Sequence, residues 1–224
     1  MNKRSPLATV ELRWFFQGTV AEYPALMKWY ESAEPFEKDA AVKPPEWKSR
    51  IDNQPDIYLL TPGSNDLGIK WREGLLQIKG RVAAEEERIF SGIHQGKIEH
   101  WIKWSCGQLP AAYKHLFTQN QQSGIITVPV QKIRTLRKIA LTEKPIEVDV
   151  STDVHRAIEM ELSNITVAGK EFCSLGFEAY PDDSALNATF TSLVESFLKD
   201  LKEIHLSATQ SKSYPAWLRG TLND

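Results

Sequence analysis

The sequence predicts an α+β protein, an antiparallel sheet of short amphipathic strands with helices packed on its apolar face. Three observations predict it. Strand-length segments alternate apolar with charged residues, separate stretches carry apolar residues at helical spacing, and the links between segments are rich in Gly, Pro, Asn and Asp. Side chains along a strand repeat with period two, so each alternating segment has one apolar and one ionic face.

The elements follow in order. Val10, Leu12, Trp14 and Phe16 alternate with Thr9, Glu11, Arg13 and Phe15, which makes a first strand. Pro24 then stands where a first helical turn tolerates it, and Tyr23, Leu26, Met27 and Tyr30 predict a short helix near 22–32. Pro35, Pro44, Pro45 and Pro55 among polar residues mark 33–55 as a loop or insertion. Segments 56–60, 67–72, 75–82, 98–105, 125–140, 146–150, 156–163 and 172–179 read as strands, with turns at Pro62-Gly63-Ser64-Asn65 and Glu73-Gly74. Leu109, Ala112, Tyr113, Leu116 and Phe117 predict a weaker helix over 107–122. The clearest helical stripe runs from Leu186 through Phe190, Leu193, Val194, Phe197, Leu198 and Leu201 to Ile204, with Ser184 as its N-cap. The tail from 207 is polar until Tyr214-Pro215-Ala216-Trp217-Leu218, a segment suited to dock back or to pack on a partner. The chain, 1–224, reads as one domain with the insertion near 33–55 and the tail 207–224 appended.

Composition excludes several classes. With 42% hydrophobic and 25% charged residues the chain is not a disordered one, and its 224 residues suffice for a substantial core. A net charge of −2 gives no general pull toward nucleic acid or anionic membrane, so an anion site must come from local clustering. No apolar run approaches the ~20 residues of a membrane span, and none near the N-terminus has signal-peptide character. A cytoplasmic location is the expectation. Two cysteines, Cys106 and Cys173, form no disulfide framework and read as buried thiols. The five histidines show no metal spacing, and there is no phosphate-binding Gly-x-x-x-x-Gly-Lys loop, Gly-x-Ser-x-Gly elbow or Cys-x-x-Cys pair.

The decisive question is where the ionic faces point. Amphipathic helices need an apolar surface, and Leu12, Trp14, Ile69, Trp71, Ile78, Ile102 and Met160 supply one. If the sheet curls until it closes, the opposite face lines a charged lumen. If it stays open, the ionic face looks into water, and Glu11 with Arg13 is then an exposed cross-strand pair. Lys132–Lys138 would be a charge-protected edge strand. Trp101, on the ionic face near Lys103, would serve for stacking or for packing. Parity of side chains accommodates both architectures.

The order of the motifs adds to this. Thr9-Val10-Glu11-Leu12-Arg13 resembles, with one change, the Glu-x-Glu-x-Lys signature of the CYTH superfamily, the triphosphate tunnel metalloenzymes. Asp56-Ile57-Tyr58, Lys70-Trp71-Arg72, Gln77-Ile78-Lys79-Gly80, Lys103, Lys132-Ile133-Arg134, Glu159-Met160-Glu161 and Phe177-Glu178-Ala179 follow in the family's order, so the resemblance runs from about 8 to 202. It implies a closed or nearly closed antiparallel eight-stranded tunnel barrel with helices packed outside. It implies further that Arg13, Lys70, Arg72, Lys79, Lys103, Lys132 and Arg134 grip a small polyphosphate ligand. Glu11, Glu159 and Glu161 would be the catalytic carboxylates holding Mg²⁺ or Mn²⁺. Hard divalent cations take carboxylate oxygens, phosphoryl oxygens take fixed cations, and phosphoryl transfer needs mainly positioning and charge neutralisation. Thr9 stands where the family has its first glutamate, and a neutral hydroxyl weakens one metal position. Three functions follow as expectations. The first is a metal-dependent triphosphatase or polyphosphate binder. The second is a non-catalytic anion-binding or protein-interaction module on the same scaffold, and the third a lipocalin-like carrier whose apolar faces line the cavity. No membrane and no general nucleic-acid partner is expected.

Overall fold

A computed structural model describes residues 6–34, 36–39, 50–51, 54–61, 63–108 and 126–223. The strands are β1 (Leu7–Gln17), β2 (Glu37–Lys38), β3 (Arg50–Ile51), β4 (Asp56–Leu59), β5 (Leu67–Arg72) and β6 (Leu75–Arg81). After them come β7 (Glu86–Phe90), β8 (His94–Gln108), β9 (Thr127–Ala140), β10 (Ile146–Val148), β11 (Ala157–Val167) and β12 (Lys170–Tyr180). Among the described residues three α-helices accompany them, α1 (Pro24–Ser32), α2 (Ser184–Leu198) and α3 (Tyr214–Asn223). The expected helix over 107–122 and most of the 33–55 insertion lie outside the described residues.

Eight strands close on themselves in the order β11-β12-β1-β8-β6-β5-β4-β9, with β9 pairing back onto β11. Every pairing in the ring is antiparallel. Closure leaves no free edge in the ring itself. Outside it, β3 and β10 pair with β9, β2 lies parallel to β10, and β7 pairs with β8. β9 is therefore an interior wall strand, flanked by β4 and β11, and not a solvated edge.

The apolar faces of β1, β11 and β12 point outward, under α1 and α2. Leu12, Trp14, Met160, Leu175 and Phe177 pack there against Leu26 and Tyr30 of α1 and Phe190, Val194 and Phe197 of α2. Trp14 is fully buried and meets Phe90 and Phe177 edge-on at 6.3 and 6.4 Å. Each such side chain contributes about 1.5–3 kcal/mol by leaving water. Ile69, Trp71, Ile78 and Ile102 share the outward orientation but are only half-buried and stand apart from this core.

Several boundaries differ from expectation. Asp183, not Ser184, caps α2, its carboxylate accepting from the Leu186 amide at 2.9 Å. The helix stops at Leu198, and Leu201 reaches the core from irregular chain beyond it. Cys173 is buried, whereas Cys106 is exposed. No described helix is long and apolar enough to cross a membrane.

The tail docks back. β1 pairs with β8 only as far as Glu11. Beyond that point the tail takes over: the Phe15 amide donates to Gln210 O (3.0 Å), Lys212 N donates to Arg13 O (3.2 Å), and Ser211 Oγ accepts from Lys97 N (2.8 Å). The chain then enters α3, whose Trp217 stacks on Phe15 at 4.3 Å with rings 3° from parallel. Trp217 and Leu218 join Phe15, Tyr58, Val130 and Ile165 in a second apolar cluster, which covers one end of the barrel.

Candidate functional site

Since the even positions of β1 face the outer core, its odd positions face the lumen, and each strand of the ring alternates in the same way in its own register. The result is a cavity of about 490 Å³. All ten residues singled out by sequence line it: Glu11 and Arg13 from β1, Lys70 and Arg72 from β5, Lys79 from β6 and Lys103 from β8. Lys132 and Arg134 come from β9, and Glu159 and Glu161 from β11.

Asp56, which opens β4, gathers three of these cations. It is 1% exposed, and it receives Arg72 through Nε and Nη2 at 2.5 and 2.6 Å and Lys70 at 3.1 Å. Lys132 lies 3.6 Å away. Burial works against the Asp56 carboxylate, but Lys70, Lys132 and Arg72 outweigh it and hold it well below the usual carboxylate range. The cations pay in turn: burial and the neighbouring Arg72 push the Lys70 ammonium down to about 7. Burial and Lys70 likewise push Lys132 far down. The Lys132 ammonium donates to the Tyr58 hydroxyl at 3.1 Å and sits 3.8 Å above the ring of Tyr214, which stacks on Tyr58.

Glu161 binds Arg13 at 2.7 Å and faces Arg134 at 3.8 Å. These two guanidiniums, with Lys132, overcome burial and keep its pKa well below normal. Gly176 makes the first pair fit, because a Cβ there would lie 2.6 Å from the Arg13 guanidinium carbon.

A second layer is a row of glutamates. Glu99, Glu11, Glu178 and Glu159 occupy register positions side by side on β8, β1, β12 and β11. Like charges directly opposite repel, so the row needs cations. Arg81 meets Glu99 at 3.1 Å, and Lys138 meets Glu159 at 3.4 Å. Lys79 ion-pairs with Glu11 and reaches Glu178 at 3.5 Å. The Thr9 hydroxyl donates to Glu11 at 2.8 Å, and the Tyr180 hydroxyl donates to Glu159 at 3.1 Å. Glu99, burdened by burial despite Arg81, is raised to about 7.

Two lumenal cations are left over. Lys103 stands directly across from Lys79, a like-charge pair, and its side chain makes no hydrogen bond or ion pair among the described residues. Lys212, delivered by the docked tail, is in the same position.

Divalent-metal ligation by Glu11, Glu159 and Glu161 does not fit this arrangement. Each already holds a protein cation, and among the described residues no three Asp, Glu, His or Cys side chains cluster as metal ligands. Sequence reasoning gave no site role to Asp56, Glu178 or Glu99, although the parity that found Glu11 also places Glu178 and Glu99 inside. Tyr214 belongs to the segment expected to dock back but received no site role, and Lys212 carried no signal, since both arrive from a tail without strand periodicity. Trp101 proves to be a lumen-facing side chain only 2% exposed. No family model matches the sequence, and no curated protein matches it significantly.

Proposed function

We propose that the lumen is a receptor for a small polyphosphate-bearing anion, met in the cytoplasm and bound without nucleic-acid or membrane partners. The observation that carries this is the pair of ammoniums, Lys103 and Lys212, that make no ion pair among the described residues, in a cavity lined by eight basic side chains and six glutamates. The other lumenal cations are held by Asp56 and the glutamates, while Lys70, Lys79 and Lys132 are all pushed below the usual lysine range. A multivalent anion relieves that strain and takes charge-assisted hydrogen bonds from fixed donors. Hydrolysis with Mg²⁺ or Mn²⁺, which the family resemblance implies, would require Glu11, Glu159 and Glu161 to exchange protein cations for metal.

A thermal-shift panel of tripolyphosphate, ATP, thiamine triphosphate and pyrophosphate, with and without Mn²⁺ and with phosphate release assayed in parallel, tests the reading. A ligand at 100 times its Kd adds about 2.7 kcal/mol of stability. The double variant Lys103→Ala, Lys212→Ala should fold as well as the natural chain, because among the described residues neither side chain has an ion-pair partner to lose, and should lose most of the shift. No shift at millimolar ligand in low salt would refute an anion site.

A further inference from the structure

The glutamate row has its own cations, and one of them stands where a divalent ion would bridge. Glu11 and Glu178 are direct cross-strand partners on β1 and β12. Side chains so placed have Cβ atoms about 5 Å apart, a separation at which two carboxylates either repel or share a cation. Lys79, entering from β6, ion-pairs with Glu11 and lies 3.5 Å from Glu178. Thr9 Oγ donates to the same Glu11 oxygen that Lys79 holds, occupying acceptor capacity that a metal would use. To either side in the row, Arg81 and Lys138 hold Glu99 and Glu159.

We propose that the Lys79 ammonium is a built-in substitute for a divalent cation, bridging Glu11 and Glu178 so that the lumen takes its anion without metal. The anion-binding half of this rests on the receptor reading above, whereas the exclusion of metal by Lys79 stands on the geometry of the row. A tethered ammonium holds its place at an effective concentration that free Mg²⁺ does not match, and it supplies one positive charge where a divalent ion supplies two. The row is thereby neutralised enough to fold yet not charged enough to activate water.

Two measurements test it. Mn²⁺ uptake without phosphate, followed by the loss of the free-ion paramagnetic resonance signal, should be at background for the natural chain and for Lys79→Arg. Lys79→Gln should gain one site at least tenfold tighter, which a further Glu11→Gln or Glu178→Gln removes. Uptake by the natural chain that Glu11→Gln abolishes would overturn the proposal, and so would a folded Lys79→Gln with no gain. If Lys79→Gln does not fold, the natural chain and its Glu11→Gln variant still decide the matter. Calorimetry with tripolyphosphate then separates the two readings. Binding in EDTA that Mn²⁺ weakens, by sequestering the ligand, supports a metal-free site. Binding that Mn²⁺ tightens tenfold or more overturns it. Absence of heat in both conditions refutes the receptor reading alone, and the uptake result still judges Lys79.

Discussion

Gly176 shows how much of the lumen depends on a position with no side chain. It lies on the inner face of β12, directly opposite Arg13, and the Arg13 guanidinium occupies the space its Cβ would take. Gly176→Ala should therefore force Arg13 away from Glu161, whose carboxylate would keep the Ser163 hydroxyl at 3.0 Å and the more distant Arg134 at 3.8 Å. Overpacking of this kind costs about 1–3 kcal/mol, and the urea midpoint should fall accordingly. An unchanged midpoint would mean that Arg13 has another resting place. This glycine was illegible in sequence because a glycine within a strand carries no side-chain parity to read. The charged positions were legible for the opposite reason: a one-residue error in register would have turned Lys70, Arg72, Glu159 and Glu161 all outward. What parity does not give is the pairing among them. Asp56 looks like an ordinary strand-opening residue until β5 and β9 bring Lys70, Arg72 and Lys132 to it.

At the scale of elements, α1 is fastened by a buried charge on the outer side of β9. Arg137 donates to Glu147 through Nε and Nη2, at 2.8 and 2.7 Å, and to the carbonyls of Tyr30 and Ala33 at the end of α1, at 2.8 and 2.6 Å. A cation there satisfies carbonyls that a helix C-terminus leaves unpaired. Arg137→Met strands the Glu147 carboxylate, 5% exposed, and should cost about 3–5 kcal/mol in urea denaturation. Adding Glu147→Leu should recover a good part, since the penalty lies in the orphaned charge; no recovery would show that the α1 carbonyl contacts carry the energy. Sequence reading places α1 and the body of α2 because Pro24 opens the one at a first helical turn and a regular apolar stripe runs through the other. It leaves α3 open although Tyr214, Trp217, Leu218 and Leu222 stand at helical spacing, because Pro215 and Gly220 break up a segment of only ten residues, and what orders it is tertiary, the Trp217–Phe15 stack. Trp217→Ala should thus release α3 before the barrel melts. Hydrogen exchange should rise over 206–223 while β1, β11 and β12 stay protected, and equal loss across the ring would show instead that the helix is part of the global folding unit.

For the whole molecule, closure converts alternation into a charged lumen, and alternation alone does not foretell it. Period two says which residues share a face, whereas closure depends on the long-range pairing of β9 with both β4 and β11, which no local pattern encodes. The order of charged motifs, through its resemblance to tunnel barrels, carried that part of the expectation. Closure also gathers Lys70, Lys79 and Lys132 into one poorly hydrated space, and this sets a pH signature. Lys70 titrates near 7 in the folded protein against about 10.4 in an unfolded chain, so between those values the unfolded state binds more protons. Stability of the free protein should rise with pH across that window, by at most about 1.4 kcal/mol per unit for each such lysine, with Lys79 and Lys132 adding in the same direction. Above about 10 the trend reverses as tyrosines in the unfolded chain ionise, because Tyr58, Tyr180 and Tyr214 are held protonated by burial in the fold. A bound polyanion favours the ammonium, so ligand binding takes up protons over the same range. Affinity for tripolyphosphate should then fall as pH rises above 7, by up to about tenfold per unit for each proton taken up. The free protein would melt later at pH 9 than at pH 7, and the ligand would help it less. In Lys70→Arg the guanidinium stays charged throughout, so the affinity slope should flatten relative to the natural chain with the same ligand, which cancels the ligand's own titration. Equal slopes in the two proteins would remove Lys70 from contact with the anion and move the binding locus toward Lys103 and Lys212.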